Sequence, residues 1–167
     1  MNADIASPSR SYIGLGLAMA VLVVALDQLT KWWILEVVMQ PVPRIVEVTP
    51  FFNLVLAWNY GVSFGTFAST EAYMPYVLSA VAFGIVVVLL VWMRNAGRRF
   101  IAVALGMVIG GAIGNIIDRI RFGAVADFLD FHVAGWHFWA FNIADSGITV
   151  GVALLLIDGL FERREKS

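Results

Sequence analysis

No cysteine occurs in the chain. That excludes disulfides, thiolate metal sites and a cysteine nucleophile, and leaves the compartment open. Charge is scarce as well, at 14% of residues against about 25% in an average soluble domain. The two histidines, His132 and His137, are five positions apart with no H-E-x-x-H around them, so a zincin-type metal centre has no basis. We read both as interfacial residues. Ser63, Ser69 and Ser146 lack a G-x-S-x-G context, and no glycine-rich loop follows a strand to hold a phosphate. A net charge of −1 offers nothing to nucleic acid. No internal repeat, low-complexity tract or linker divides the chain. A single domain over 1–167, with no metal and no cofactor, is the expectation.

Hydrophobic residues make up 60% of the chain, and they fall in long runs rather than being spread evenly. The fold class this implies is a membrane all-α protein with a small β element. Four spans are expected, at about 12–35, 72–93, 100–118 and 137–160. The first resembles a signal peptide at its start, but no A-x-A site follows and it runs on through Asp27-Gln28-Leu29-Thr30-Lys31-Trp32-Trp33. Lys31 is expected to snorkel outward, and the tryptophan pair to sit in an interfacial belt. Gly106, Gly110 and Gly114, at steps of four, form a small-residue stripe on the third span, and Gly147 and Gly151 another on the fourth. Between the spans, Arg44–Val48, Phe51–Trp58 and Ala124–Phe131 read as strands, with a turn near Gly123. Arg10, the Arg94/Arg98/Arg99 loop and the Arg163/Arg164/Lys166 tail lie on one side. The positive-inside rule makes that side, with both termini, cytoplasmic.

The stretch from Gly114 to Ser146 holds four of the seven aspartates. Asp145 is expected about six or seven residues inside the fourth span, on the order of 10 Å deep. A carboxylate there costs about 2.5–3.5 kcal/mol on insertion scales, so a use or a cation partner is required. Lys31 and Arg119 are the candidate cations. Asn115, Asp118 and Arg119 share a helix face, as do Asn142, Asp145 and Thr149, and an Asp118–Arg119 ion pair is one structural reading. Asp127 follows the turn that reverses the chain after the third span, which lets it hang over Asp145; Asp130 is its rival. Two aspartates brought together share a proton. One can then activate water while the other protonates a leaving amine, which is peptide hydrolysis without metal or covalent intermediate.

Five motifs resemble those of the lipoprotein signal peptidases, also called signal peptidase II. In order they are Asp27-Gln28-x-Thr30-Lys31, Asn59-x-Gly61-x-x-Phe64, Gly114-Asn115-x-x-Asp118-Arg119, Val125-x-Asp127-Phe128 and Phe141-Asn142-x-Ala144-Asp145-Ser146. The resemblance covers nearly the whole chain. It implies four transmembrane helices under a small periplasmic β-sheet cradle, in a multi-pass protein of the bacterial inner membrane. The activity it implies is that of an aspartic endopeptidase. The substrate would be a diacylglyceryl-modified prolipoprotein, cut just before its lipidated cysteine. On this resemblance Asp127 and Asp145 are the catalytic pair, and Asn59, Asn115, Asp118, Arg119 and Asn142 support the site and bind substrate. Asp27 and Lys31 are read as structural. Membrane lipids, and inhibitors of the globomycin type, are the further partners implied. A proton-coupled transporter and a non-enzymatic scaffold are the alternatives. Against them stand the gathering of acids at one face and the Asp127–Asp145 arrangement.

Overall fold

The computed structural model describes residues 11–41, 45–61 and 73–165. Arg10, Arg44, Val62–Gly65 with Phe64 of the second motif, Ser63 and Ser69 lie outside the described residues, as do the side chains of the 162–167 tail. In chain order the elements are α1 (Ile13–Trp33), a π-helical turn (Ile34–Val38), β1 (Val46–Thr49), β2 (Phe52–Asn59), α2 (Met74–Arg94), α3 (Arg99–Phe122), β3 (Val125–Val133), β4 (Trp136–His137) and α4 (Ile143–Glu165). Among the described residues four helices, α1 with its π turn included, are long and apolar enough to cross a membrane. The strands form one antiparallel sheet in the order β1-β2-β3-β4. Four spanning helices with a small sheet are the fold class the sequence implied.

Helix α3 is central, with α1, α2 and α4 all packed against it. Its glycines make this possible, because lipid tails supply no hydrophobic drive between helices and close backbone approach must do the work. A Cβ on Gly110 would lie 2.6 Å from the Ala20 carbonyl oxygen and 2.8 Å from Val23 Cβ, both on α1. One on Gly106 would collide with the Gly16 carbonyl. Gly114 makes room for a side chain instead: its Cβ would sit 2.6 Å from Asp27 Oδ2. On α4, Gly147 lies against Val23 and Gly151 against Val108. Buried Ala20, Val86, Met93, Leu105 and Ile109 fill the space between α1, α2 and α3.

Helix α3 ends at Gly123, whose φ of +73° provides the left-handed cap that turns the chain into β3. At the opposite end of the bundle Arg98 meets Asp158 at 2.8 Å, tying the start of α3 to the last turns of α4.

The fourth helix departs from expectation. It begins at Ile143, not near 137. Residues 136–141 belong to the sheet: β4 pairs with β3, the Phe138 N–H donates to the Phe131 carbonyl at 2.7 Å, and Phe141 bridges Leu129. An apolar run reads the same on a hydropathy scale whether it is helix or strand. Here the Ala134-Gly135 turn, both residues at positive φ, closes a hairpin that keeps the run extended. Asp145 is therefore in the first helical turn rather than two turns down.

Replacing Gly110 with Leu should cost about 1–3 kcal/mol through overpacking, whereas Gly97→Ala, which meets open space, should be silent. Thermal melting of the two variants in detergent checks the contrast.

Candidate active site

Three helix ends and two strands meet where the bundle joins the sheet. Asn142 caps α4: its Oδ1 accepts the Asp145 N–H at 2.9 Å. A second helix-end donor, the Ala144 N–H, is satisfied from another helix, by Asp27 Oδ1 on α1 at 2.9 Å. A carboxylate at that position also complements the positive end of the α4 dipole.

Asp27 is held in turn by Lys31. The Lys31 ammonium donates to Asp27 Oδ2 at 2.8 Å and Asn115 Oδ1 at 3.3 Å, and lies 2.8 Å from Asp118 Oδ2. Three donors meet three acceptors. Lys31 is 2% exposed, and Asp27 and Asp118 are 0% exposed. Lys31 thus does not snorkel outward. With Asp27 and Asp118 within reach, pairing inside offsets the cost of burial better than an exposed position would. This also replaces two sequence readings: Asp118 pairs with Lys31 rather than Arg119, and Lys31 is the partner of Asp27 and Asp118 rather than of Asp145. Asp118 further accepts the Ala126 N–H at 3.1 Å and the Gln28 amide at 3.0 Å, which fixes the start of β3 over the end of α3.

Asp127 lies on β3, 3% exposed, opposite Ala57 of β2. Its Oδ2 accepts from the Asn59 amide at 3.1 Å and its Oδ1 from the Asn142 amide at 2.7 Å. Asp145 Oδ1 accepts from the Asn115 amide at 2.8 Å. Asn142 also donates to Asn115 Oδ1 at 3.3 Å, so the two carboxyl groups are joined through two asparagines. Burial pushes the Asp127 carboxyl up to about 6, and the nearby charge of Asp145 pushes the same way; the Asn59 and Asn142 hydrogen bonds oppose it. Arg119 lies within electrostatic reach of Asp145, Asp127 and Asp118. It donates to the Asn115 carbonyl at 3.4 Å, while its Nε is buried without a hydrogen-bond partner among the described residues.

All seven site residues named from the sequence, Asn59, Asn115, Asp118, Arg119, Asp127, Asn142 and Asp145, belong to this one cluster. Asp130 does not: it pairs with Asn53 at 3.2 Å and His137 at 2.9 Å on the sheet. His137 sits on β4 and His132 on β3, with their rings 4.9 Å apart. What the sequence did not disclose is the work of Asp27 at the α4 terminus and of Gln28 between Asp27 and Asp118. The signal was present, since a D-Q-x-T-K run closing an apolar helix has no membrane-interior use unless its charges find partners.

Chemically, four carboxylates (Asp27, Asp118, Asp127, Asp145) face two cations (Lys31, Arg119). That excess favours a retained proton, and Asp145 is half-buried where Asp127 is buried. Among the described residues no group of His, Asp and Glu is arranged to hold a metal ion.

The family model described as Signal peptidase (SPase) II matches residues 19–161. A lipoprotein signal peptidase of Rhodopseudomonas palustris is 46% identical over 155 residues, covering 89% of this chain and 93% of the relative. One from Burkholderia vietnamiensis is 38% identical over 161 residues, 96% of each chain. A bacterial membrane enzyme solved by the in meso method at 2.3 Å superposes with a TM-score of 0.81 at 32% identity, covering 95% of both chains.

Titration of Asp127, followed by carboxyl carbon NMR, should centre near 6. Asp145→Asn should lower it, with burial holding part of the rise. Because the folded pKa lies above the usual 3.8, the native state binds the extra proton between about pH 4 and 6, so this group's contribution to stability falls as pH rises through that window. Separately, Lys31→Met leaves two buried carboxylates without their cation and should cost about 3–5 kcal/mol in a detergent unfolding assay.

Proposed function

The chain belongs to the signal peptidase II family, membrane proteases of lipoprotein processing, and on that premise we propose that Asp127 and Asp145 hydrolyse the peptide bond as an aspartic pair. Asp145, the less buried of the two, takes a proton from water. The resulting hydroxide adds to the scissile carbonyl carbon. Asp127, whose carboxyl burial pushes up to about 6, carries the pair's proton in this reading and gives it to the departing nitrogen as the C–N bond breaks. The pair ends with one proton on the opposite member, which redistributes before the next cycle. Asn115, Asn142 and Asn59 hold the two carboxyl groups in register. Arg119, whose Nε has no hydrogen-bond partner among the described residues, donates to the carbonyl oxygen of the bound peptide as charge develops on it.

The substrate in this reading is a prolipoprotein carrying diacylglycerol on its cysteine, cut immediately before that residue. Acyl chains anchored in the bilayer place the scissile bond at the interface, the level of the first turn of α4. In this reading the basic Arg94/Arg98/Arg99 turn faces the cytoplasm across a bacterial inner membrane, as the positive-inside rule supports, and the sheet and the acid pair face the periplasm. A cyclic apolar peptide of the globomycin type would inhibit by lodging between the two aspartates. The single observation that carries the proposal is the buried Asp127 carboxyl joined to Asp145 through Asn142 and Asn115.

Purified protein incubated with a lipidated prolipoprotein should yield the shortened product on a gel, and the unlipidated precursor should stay intact. Asp127→Asn and Asp145→Asn should each lose at least about 10²-fold in rate while melting near the wild-type temperature. Full activity in either variant removes that residue from the mechanism.

A further inference from the structure

Trp and Tyr flank membrane spans because their rings suit the headgroup layer. At the sheet end of the bundle, α1 closes with exposed Trp32 and Trp33, and α2 opens beside exposed Tyr73 and Tyr76. Helix α3 is the buried centre and needs no such anchor. Helix α4 does face outward along much of its length, with Val150, Val152, Leu156 and Leu160 exposed. Yet Ile143–Glu165 contains neither Trp nor Tyr. Its anchor must come from elsewhere or be missing.

The β3–β4 hairpin stands in the right place. Val133 is 71% exposed, Trp136 68%, Phe138 52% and Trp139 72%. Trp139 is four residues before Ile143, which limits it to within about 14 Å of the start of α4. The hairpin is not loosely attached: Phe138 and Phe141 are hydrogen-bonded to β3. From Phe131 to Asn142 there is no Lys, Arg, Asp or Glu, so seating the turn in lipid strands no fixed charge. An apolar cleft of about 320 Å³ continues the same surface between Phe51 and the hairpin, lined by Phe131, Val133, Trp136 and Phe138.

We propose that the β3–β4 hairpin is a membrane-inserted anchor, seated in the lipid headgroup and upper acyl layer, which supplies for α4 the aromatic belt that its own sequence lacks. The occupant of this apolar surface is the bilayer. A second copy of the chain is the competing occupant, and bulk water the third.

The absence of cysteine makes the test direct. Val133→Cys, Trp136→Cys and, as an aqueous reference on the same sheet, exposed Glu47→Cys each give a single labelling site for a nitroxide in the full-length protein in phospholipid nanodiscs. Collision with dissolved oxygen and with a water-soluble nickel chelate is then measured by electron paramagnetic resonance. The oxygen-to-nickel ratio should be at least about threefold higher at positions 133 and 136 than at 47, since oxygen concentrates in lipid and the chelate is excluded from it. Ratios equal to that at 47 place the hairpin in water and overturn the proposal. Exclusion of both reagents, with spin–spin broadening, places it against a second copy and overturns it equally. Val133→Cys carries the test should Trp136→Cys fold poorly.

Discussion

The Lys31 ammonium lies between the carboxylates of Asp27 and Asp118, out of contact with water, and the site is arranged around that contact. Removing these three charges from solvent costs several kcal/mol per ion, which only close geometry and further hydrogen bonds can offset. Every remaining valence is used. Asp27 turns its other oxygen to the Ala144 N–H of α4; Asp118 accepts from Ala126 at the start of β3; Lys31 gives its third proton to Asn115. One ion cluster thus sets the relative positions of α1, α3, α4 and β3.

From these positions the geometry of the proposed pair follows. The Asp127 strand is held down by Asp118 one residue away, and the Asp145 helix end by Asp27 one residue away. Asn142 and Asn115 then join the two acids. Each carboxyl of the proposed pair has a neighbour that places it. Such pre-positioning spares the pair from reorganising as charge develops, which is where most electrostatic catalysis comes from. Close approach of the helices is a precondition. A side chain at Gly114 would displace Asp27, and one at Gly110 would push α1 away from α3.

The sheet has two roles in this arrangement. Through β2 and β3 it brings Asn59 to Asp127. Through the hairpin it leads into α4 by residues 138–142, tied to β3 at Phe138 and Phe141. A hairpin seated in lipid would therefore carry the level of the bilayer to the strand bearing Asp127, so that the acid pair and the membrane surface share one rigid reference.

Much of this was legible beforehand. Uncharged runs long enough to span a bilayer identify helices without any tertiary information, because unpaired backbone groups are not tolerated in lipid. The glycine steps of four on α3, the β-rich run in 51–58, the alternation in 124–131, and the turn at Gly123 were local signals that the structure bears out. Motif resemblance brought seven site residues to one place. Three matters were decided by the tertiary structure alone. Whether 136–142 was helix or strand depended on pairing with β3, a long-range contact invisible to hydropathy. The inward turn of Lys31 depended on acids from α1 and α3 meeting at one point, which no spacing within α1 could specify. The elevated Asp127 carboxyl arose from burial and from a neighbour eighteen positions along the chain. Local chemistry determined which segments enter the membrane; only the folded chain determined which charges stay inside it and with whom.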